Sequence, residues 1–208
     1  ATQANHHSPK AYSDAPPELA SVRANIRMRA MNMFAKRSRG VAAALGMLTV
    51  LGAADSFAAA APKVLGTHND WQTYLLVEGN RRVCYMASVP QKKAPDGVKR
   101  GDVLAFVTHR PADKEMDVVN FHVGYNLKAN VEVKVAVVGD KSYSLFTKGE
   151  TAWTKSTADD KALVQSMMKG SAMTVSGESD RGTKTVDTYS LRGFSVAYKE
   201  ITKACTGK

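Results

Sequence analysis

The chain has 208 residues and a formal net charge of +10, a length that corresponds to one or two domains. The first 61 residues carry 7 Lys and Arg against 3 Asp and Glu, and the rest carry 22 against 16, so the net charge divides into +4 and +6. A basic balance suits an anionic partner. Because the N-terminal part has the pattern of an export signal, we expect no DNA or RNA partner, and lipid A phosphates, acidic glycans and acidic proteins remain as candidates.

Residues 1–27 contain no Met and little apolar sequence. We predict that they are disordered, or that they lie upstream of the true start of the protein. The pair His6-His7 is a poor metal site by itself, because a stable site needs three or four convergent ligands.

Residues 28–60 have the order of a secretory signal peptide. A basic segment from Met28 to Arg39 precedes the uncharged run Gly40–Ala54, and small residues follow up to Ala61. A membrane anchor is the alternative, but fifteen helical residues span only about 22 Å of a hydrocarbon core of about 30 Å. We therefore predict no stable transmembrane span, cleavage that leaves a mature chain starting near Ala59 or Ala61, and one domain over residues 61–208. The product is exported: periplasmic, associated with the outer membrane, or secreted.

From Asp70 onward, short β-prone runs alternate with turn signals about every ten residues, which is typical of a sandwich or barrel. Hairpins are predicted at Gly79-Asn80, at Gly139-Asp140 and at Gly182. Alternation in the run Asp117–Gly124 predicts one dry face and one wet face. The runs are WQTYLLVE, RRVCYMASV, DVLAFVTHR, MDVVNFHV, VEVKVAVV, KSYSLFTK, ETAWT, SAMTVSGE and TKTVDTYSL.

Two segments have helical spacing instead. The first helix is predicted over Asp159–Lys169, with Ser156 or Thr157 as its cap. The second covers Phe194–Ala204, and its apolar stripe continues to Cys205. An exported chain meets an oxidising compartment, so we predict a disulfide between Cys84 and Cys205. The alternative is a pair of free buried thiols.

Ordered blocks over most of the exported part resemble the invasion-associated locus B family of alphaproteobacteria. The blocks include FVTHRPAD, GYNLKANVEV, DKSYSLFTKGETAW, DKALVQSMMKGSAMTVSGES and RGTKTVDTYSLRGFSVAYKEITKAC. The resemblance implies an exported, immunoglobulin-like antiparallel β-sandwich with added helices. In pathogens, members are linked to entry into host cells, so it also implies virulence and a host-surface or envelope partner. It implies no particular chemical activity.

The densest basic cluster is a candidate site for an anionic partner such as an envelope or host-surface protein, an acidic glycan or a lipid head group. Tyr125 and Trp71 are nearby aromatic contacts. The alternative is a set of solvated loops and edge charges that discourage strand pairing. The cluster consists of Arg81, Arg82, Lys92, Lys93, Lys99 and Arg100.

A second candidate is a small polar site at Arg181, Asp187 and Tyr189. A regular strand puts Asp187 and Tyr189 on one face with Thr185, so an acid lies among residues suited to packing. The plainer interpretation is a carboxylate satisfied by hydroxyls, backbone N–H groups or an Arg.

No complete catalytic or metal motif is present. His68, His109 and His122 are scattered and are predicted to be ordinary loop and surface residues, and neither Ser190 nor Ser195 lies in a GxSxG context. We expect no metal, no cofactor and no catalysis, and the sequence predicts no oligomeric state. Two alternatives remain open: a periplasmic hydrolase that uses residues 181–190, and a structural or stress-protective envelope factor.

Overall fold

The computed structural model describes residues 61–207. The segments predicted as upstream sequence and signal peptide, 1–27 and 28–60, lie outside the described residues. The described part contains eleven strands and two α-helices. They are β1 (Lys63–His68), β2 (Trp71–Glu78), β3 (Arg81–Ser88), β4 (Lys92–Ala94), β5 (Leu104–Arg110), β6 (Glu115–His122), β7 (Val133–Val137), β8 (Ser142–Lys148), β9 (Thr151–Trp153), α1 (Thr157–Lys169), β10 (Ala172–Glu178), β11 (Lys184–Ser190) and α2 (Phe194–Thr206).

All strand pairs are antiparallel, and the strands follow the order β1-β2-β3-β5-β6-β9-β8-β7-β10-β11-β4. Strand β8 joins the two halves of this sheet: residues 142–145 pair with β7, and residues 146–148 pair with β9. The mainly β prediction with two helices is confirmed. The arrangement is consistent with the immunoglobulin-like sandwich that the family resemblance implies.

Local signals place the turns and helices correctly. The predicted hairpin glycines 79, 139 and 182 all have positive φ. Helix α1 begins two residues before the predicted start, and the Ser156 hydroxyl caps it by accepting from the Asp159 N–H at 3.1 Å. Helix α2 runs two residues beyond the predicted end.

The main core lies between the two halves of the sheet and beneath both helices. Trp71 meets Phe194 of α2 edge-on, with ring centroids 4.9 Å apart. Phe121 of β6 faces Tyr189 of β11 at 6.2 Å. Helix α2 is tied to this core covalently, because Cys205 forms the predicted disulfide with Cys84 at the centre of β3.

The prediction of one dry and one wet face is wrong for β6. Val118, Asn120 and His122, expected on the solvent side, are at most 3 % exposed. The prediction that the histidines are loop and surface residues is also wrong for two of them, because His109 and His122 are buried. Period-two alternation separates two faces but does not show whether the second face is covered.

Candidate functional site

An open cleft of about 320 Å³ lies beside the β10–β11 hairpin. The loop before β5 forms one wall, the segment after β6 forms another, and the hairpin closes the third side. Hydroxyls, an amide, charges of both signs and one aromatic ring face the cleft. The lining residues are Val98, Lys99, Arg100, Tyr125, Asn126, Glu150, Ser179, Asp180, Arg181, Thr183 and Thr185.

Backbone contacts hold the walls together. The Gly101 N–H donates to the Gly124 carbonyl at 2.8 Å, and a Cβ on Gly124 would lie 2.7 Å from the Gly101 oxygen. The Asp180 N–H donates to the Asn126 carbonyl at 2.9 Å. These contacts join three segments that are far apart in sequence, so the shape of the cleft depends on the tertiary fold.

A buried ion pair holds one wall of the cleft in place: Arg100 lines the cleft, and its partner Asp187 lies behind it. Arg100 donates from both terminal nitrogens to the two carboxylate oxygens of Asp187, with Nη1 to Oδ2 at 2.9 Å. The side chains are only 4 % and 1 % exposed. Burial raises the pKa of Asp187, and the Arg100 guanidinium opposes that shift. The pair confirms the plainer interpretation of Asp187, a carboxylate satisfied by an Arg.

Two tyrosines flank the ion pair as neutral phenols. Tyr125 lies beneath the Arg100 guanidinium, 6.0 Å from ring centroid to carbon, and its hydroxyl is 2.6 Å from Thr185 Oγ1. Burial raises the pKa of both phenols above the ordinary tyrosine value. Tyr189 belongs to the core and does not line the cleft. Neither phenol is suited to act as a base near neutral pH.

The two candidate sets from the sequence partly converge here. Lys99 and Arg100 of the basic cluster meet Arg181 and Asp187 of the polar site. Lys93 lies opposite Asp187 in the β4–β11 register, and Lys92 lies opposite Thr188.

The rest of the basic cluster lies elsewhere, so the prediction of one convergent patch is wrong. Arg81 and Arg82 begin β3, whereas the chain enters β4 from the other end of that strand; eight residues extend about 25 Å. Arg81 pairs with Asp113, and Arg82 donates to the Ala204 carbonyl at 3.3 Å. Arg100 itself is buried and paired, not solvated.

Sequence reasoning missed the acidic part of the cleft, Glu150 and Asp180. Glu150 lies in the turn before β9, and its carboxylate oxygen is 3.1 Å from Nε2 of His122 on the neighbouring strand β6. Asp180 directly precedes Arg181 in the hairpin. Its position next to a predicted site residue is the one feature of the sequence that could have indicated it. Together with Lys99 and Arg181, these acids make the cleft mixed in charge.

The histidines occupy separate places. His68 Nε2 meets Glu200 at 2.8 Å, His109 contacts Thr202 at 3.1 Å, and His122 lies by Glu150. Within residues 61–207, no three His, Cys, Asp or Glu side chains gather in a way that could hold a metal ion. The cleft offers hydrogen-bond donors, acceptors and fixed charges for a small polar ligand.

The sequence model of the family described as Invasion associated locus B (IalB) protein matches residues 71–202. The chain belongs to the invasion associated locus B family. Comparison with curated proteins and with solved structures returned no match. In the described part of this IalB-family chain, no helix is both long enough and apolar enough to cross a bilayer. The match includes Lys99, Arg100, Arg181 and Asp187, so the cleft lies inside the family domain.

Proposed function

We propose that this IalB-family protein is an exported, non-catalytic protein of the cell envelope or the extracellular space that binds an acidic glycan in the cleft beside the β10–β11 hairpin. Its role is to hold an envelope or host-surface partner. A cleft of about 320 Å³ is near the lower limit for small-ligand sites, and suits one or two sugar units better than a protein segment.

The cleft chemistry supports a glycan. Lys99 and Arg181 supply cations for a carboxylate or sulfate group, whereas Asn126 and Glu150 offer partners for sugar hydroxyls. Tyr125 adds an aromatic surface beside them. A purely basic patch would favour any polyanion, whereas acids within the cleft favour a ligand that presents hydroxyl groups beside its anionic group.

The proposal that the protein is not an enzyme depends on the pairing and burial of the Asp187 carboxylate. Both of its oxygens accept from Arg100, and the pair is nearly excluded from water. A hydrolase that used residues 181–190 would need a carboxyl group free to accept or donate a proton to substrate. The geometry therefore supports a positioning role for Asp187, which fixes Arg100 and through it the cleft wall.

Binding to immobilised polygalacturonate, with neutral dextran as the comparison, tests this proposal. The variant Lys99→Ala with Arg181→Ala should bind about twofold to thirtyfold more weakly, since each exposed charge contributes about 0.2 to 1 kcal/mol. The control is Arg81→Ala with Arg82→Ala, which removes the same charge at the far end of β3 and should bind as wild type. Equal loss in both variants would reduce the effect to net charge and contradict the proposal.

Three other results would also overturn it. Equal retention on dextran would exclude recognition of an acidic group. Tighter binding to vesicles of anionic phospholipid than to polygalacturonate would assign the site to lipid head groups. Release of reducing ends from the polysaccharide by purified protein, lost in Asp187→Asn, would establish the hydrolase.

A further inference from the structure

The charges that line the cleft beside the β10–β11 hairpin balance one another. Lys99 and Arg181 supply two positive charges, and Glu150 and Asp180 supply two negative charges. The buried ion pair of the wall is neutral as a unit, because its guanidinium and its carboxylate compensate each other. The cleft therefore presents charges of both signs to a ligand, in equal number.

These charges are not used up by ion pairs inside the protein. Within residues 61–207, Lys99, Asp180 and Arg181 form no ion pair with another side chain. Glu150 faces the ring of His122, which is charged only if it is protonated. Charged side chains of both signs that line one cleft without pairing are complementary to a ligand that carries both signs.

The two acids reach the cleft from two different turns that hold the same segment. The Leu127 N–H donates to the Gly149 carbonyl at 3.0 Å, and the Lys128 N–H donates to the Glu178 carbonyl at 2.9 Å. Glu150 directly follows the first of these acceptors, and Asp180 lies two residues after the second. Both carboxylates therefore border the segment 123–128, which forms one wall of the cleft.

An ammonium group suits these acids better than a hydroxyl group does. A hydrogen bond from an ammonium to a carboxylate is roughly twice as strong as one between neutral groups. A sugar with only hydroxyl groups and a carboxylate would compensate the two cations, but it would bring a third negative charge near the two acids. A metal ion would lack ligands, since no three His, Cys, Asp or Glu side chains of the described part gather around one point.

We propose that the cleft binds an acidic amino sugar, which carries one carboxylate and one ammonium group. The carboxylate is bound by Lys99 and Arg181, and the ammonium group is bound by Glu150 and Asp180. The inference rests on the proposed binding of an acidic glycan and narrows that ligand to a zwitterionic sugar. The cleft volume of about 320 Å³ suits a single sugar unit of this kind.

Two matched sugars test the proposal on the unaltered protein. Muramic acid carries a carboxylate and an ammonium group, and the carboxyethyl ether of glucose has a hydroxyl in place of the ammonium. Calorimetric titration at about pH 6.5, where an amine is protonated, should show muramic acid binding about twofold to thirtyfold more tightly, since it forms two more exposed ion pairs.

Equal affinity for the two sugars would overturn the amino-sugar assignment and would leave the acidic-glycan proposal standing. Tighter binding of the glucose ether would overturn the assignment as well. If neither sugar binds, the assignment also fails, and the binding of polygalacturonate then decides separately whether an acidic glycan is the ligand.

A pair of variants tests which residues recognise the ammonium group. Glu150→Gln with Asp180→Asn keeps the shape of both side chains and should abolish the preference for muramic acid without weakening the binding of the glucose ether. The control Glu78→Gln with Asp113→Asn removes the same charge at the other end of β3 and should keep the preference. A preference that survives in the first variant, or that is lost equally in the control, would contradict the proposal.

Discussion

Arg100 and Asp187 show how one residue pair fixes the cleft. The carboxylate projects from β11 among Thr185 and Tyr189, where an isolated charge would be costly. The guanidinium satisfies it through two parallel hydrogen bonds and lies over Tyr125. The face occupied by Asp187 could be predicted from strand alternation. Its partner could not, because 87 residues separate the two positions.

Replacing Arg100 by Ala should lower the free energy of unfolding by about 3 to 5 kcal/mol, because a buried carboxylate is left unpaired. The double variant Arg100→Met with Asp187→Leu should cost much less, since no charge remains buried. Urea denaturation of the wild type, Arg100→Met, Asp187→Leu and the double variant measures the coupling energy. Additive losses would contradict the buried pair.

His109 is held neutral by its surroundings. The Asp117 N–H donates to Nδ1 at 3.1 Å, so the ring proton is on Nε2, which faces Thr202 Oγ1. The Thr202 hydroxyl donates onward to the Tyr198 carbonyl at 2.8 Å and can accept from Nε2. A second proton on Nδ1 would oppose the Asp117 N–H. Burial lowers the pKa of His109, and the charge of Asp117 opposes the shift.

This lowered pKa predicts the sign of a pH dependence. Below about pH 6.5 the unfolded chain protonates His109 before the folded protein does. Its contribution to stability is therefore complete above about pH 6.5 and is lost as the pH falls through the folded-state pKa. Urea midpoints between pH 7.5 and 5 should fall less steeply in His109→Gln, whose amide can accept from Asp117 and donate to Thr202. Identical slopes would contradict the assignment.

At the scale of elements, local patterns predicted nine strands, two helices and three hairpins to within a few residues. Both missed strands lack a local signal. Strand β4 is only three residues long and includes two lysines, and it exists because β11 offers a free edge. Strand β1 carries a glycine and an irregular register opposite β2, so its alternation is weak.

The disulfide links helix α2 to strand β3 across a sequence separation of 121 residues. In the chain-entropy model a loop of that length stabilises the fold by about 5 kcal/mol. Cys205→Ser should lower the melting temperature and leave one free thiol, at Cys84, in a thiol titration. The double variant Cys84→Ser with Cys205→Ser should match the single variant, since the loop closure is lost once. Equal melting temperatures for oxidised wild type and Cys205→Ser would contradict this account.

At the scale of the whole molecule, the two candidate sites illustrate what a sequence can and cannot place. Neighbours in sequence, Arg82 and Lys92, are separated by the length of β3. Distant residues, Lys99 and Arg181, line the same cleft. Proximity in the sequence predicted one basic patch. The fold divides that patch, because the two ends of strand β3 lie at opposite ends of the sheet.

Export underlies the whole functional account, because it permits the disulfide and selects glycans over nucleic acids. The intact mass of the protein recovered from the periplasm or medium of its own cells tests export most directly. We predict a chain that begins at Ala59 or Ala61 and is two hydrogens lighter than its reduced form. A chain that keeps residues 28–60 and two free thiols, found in the cytosol, would contradict the account.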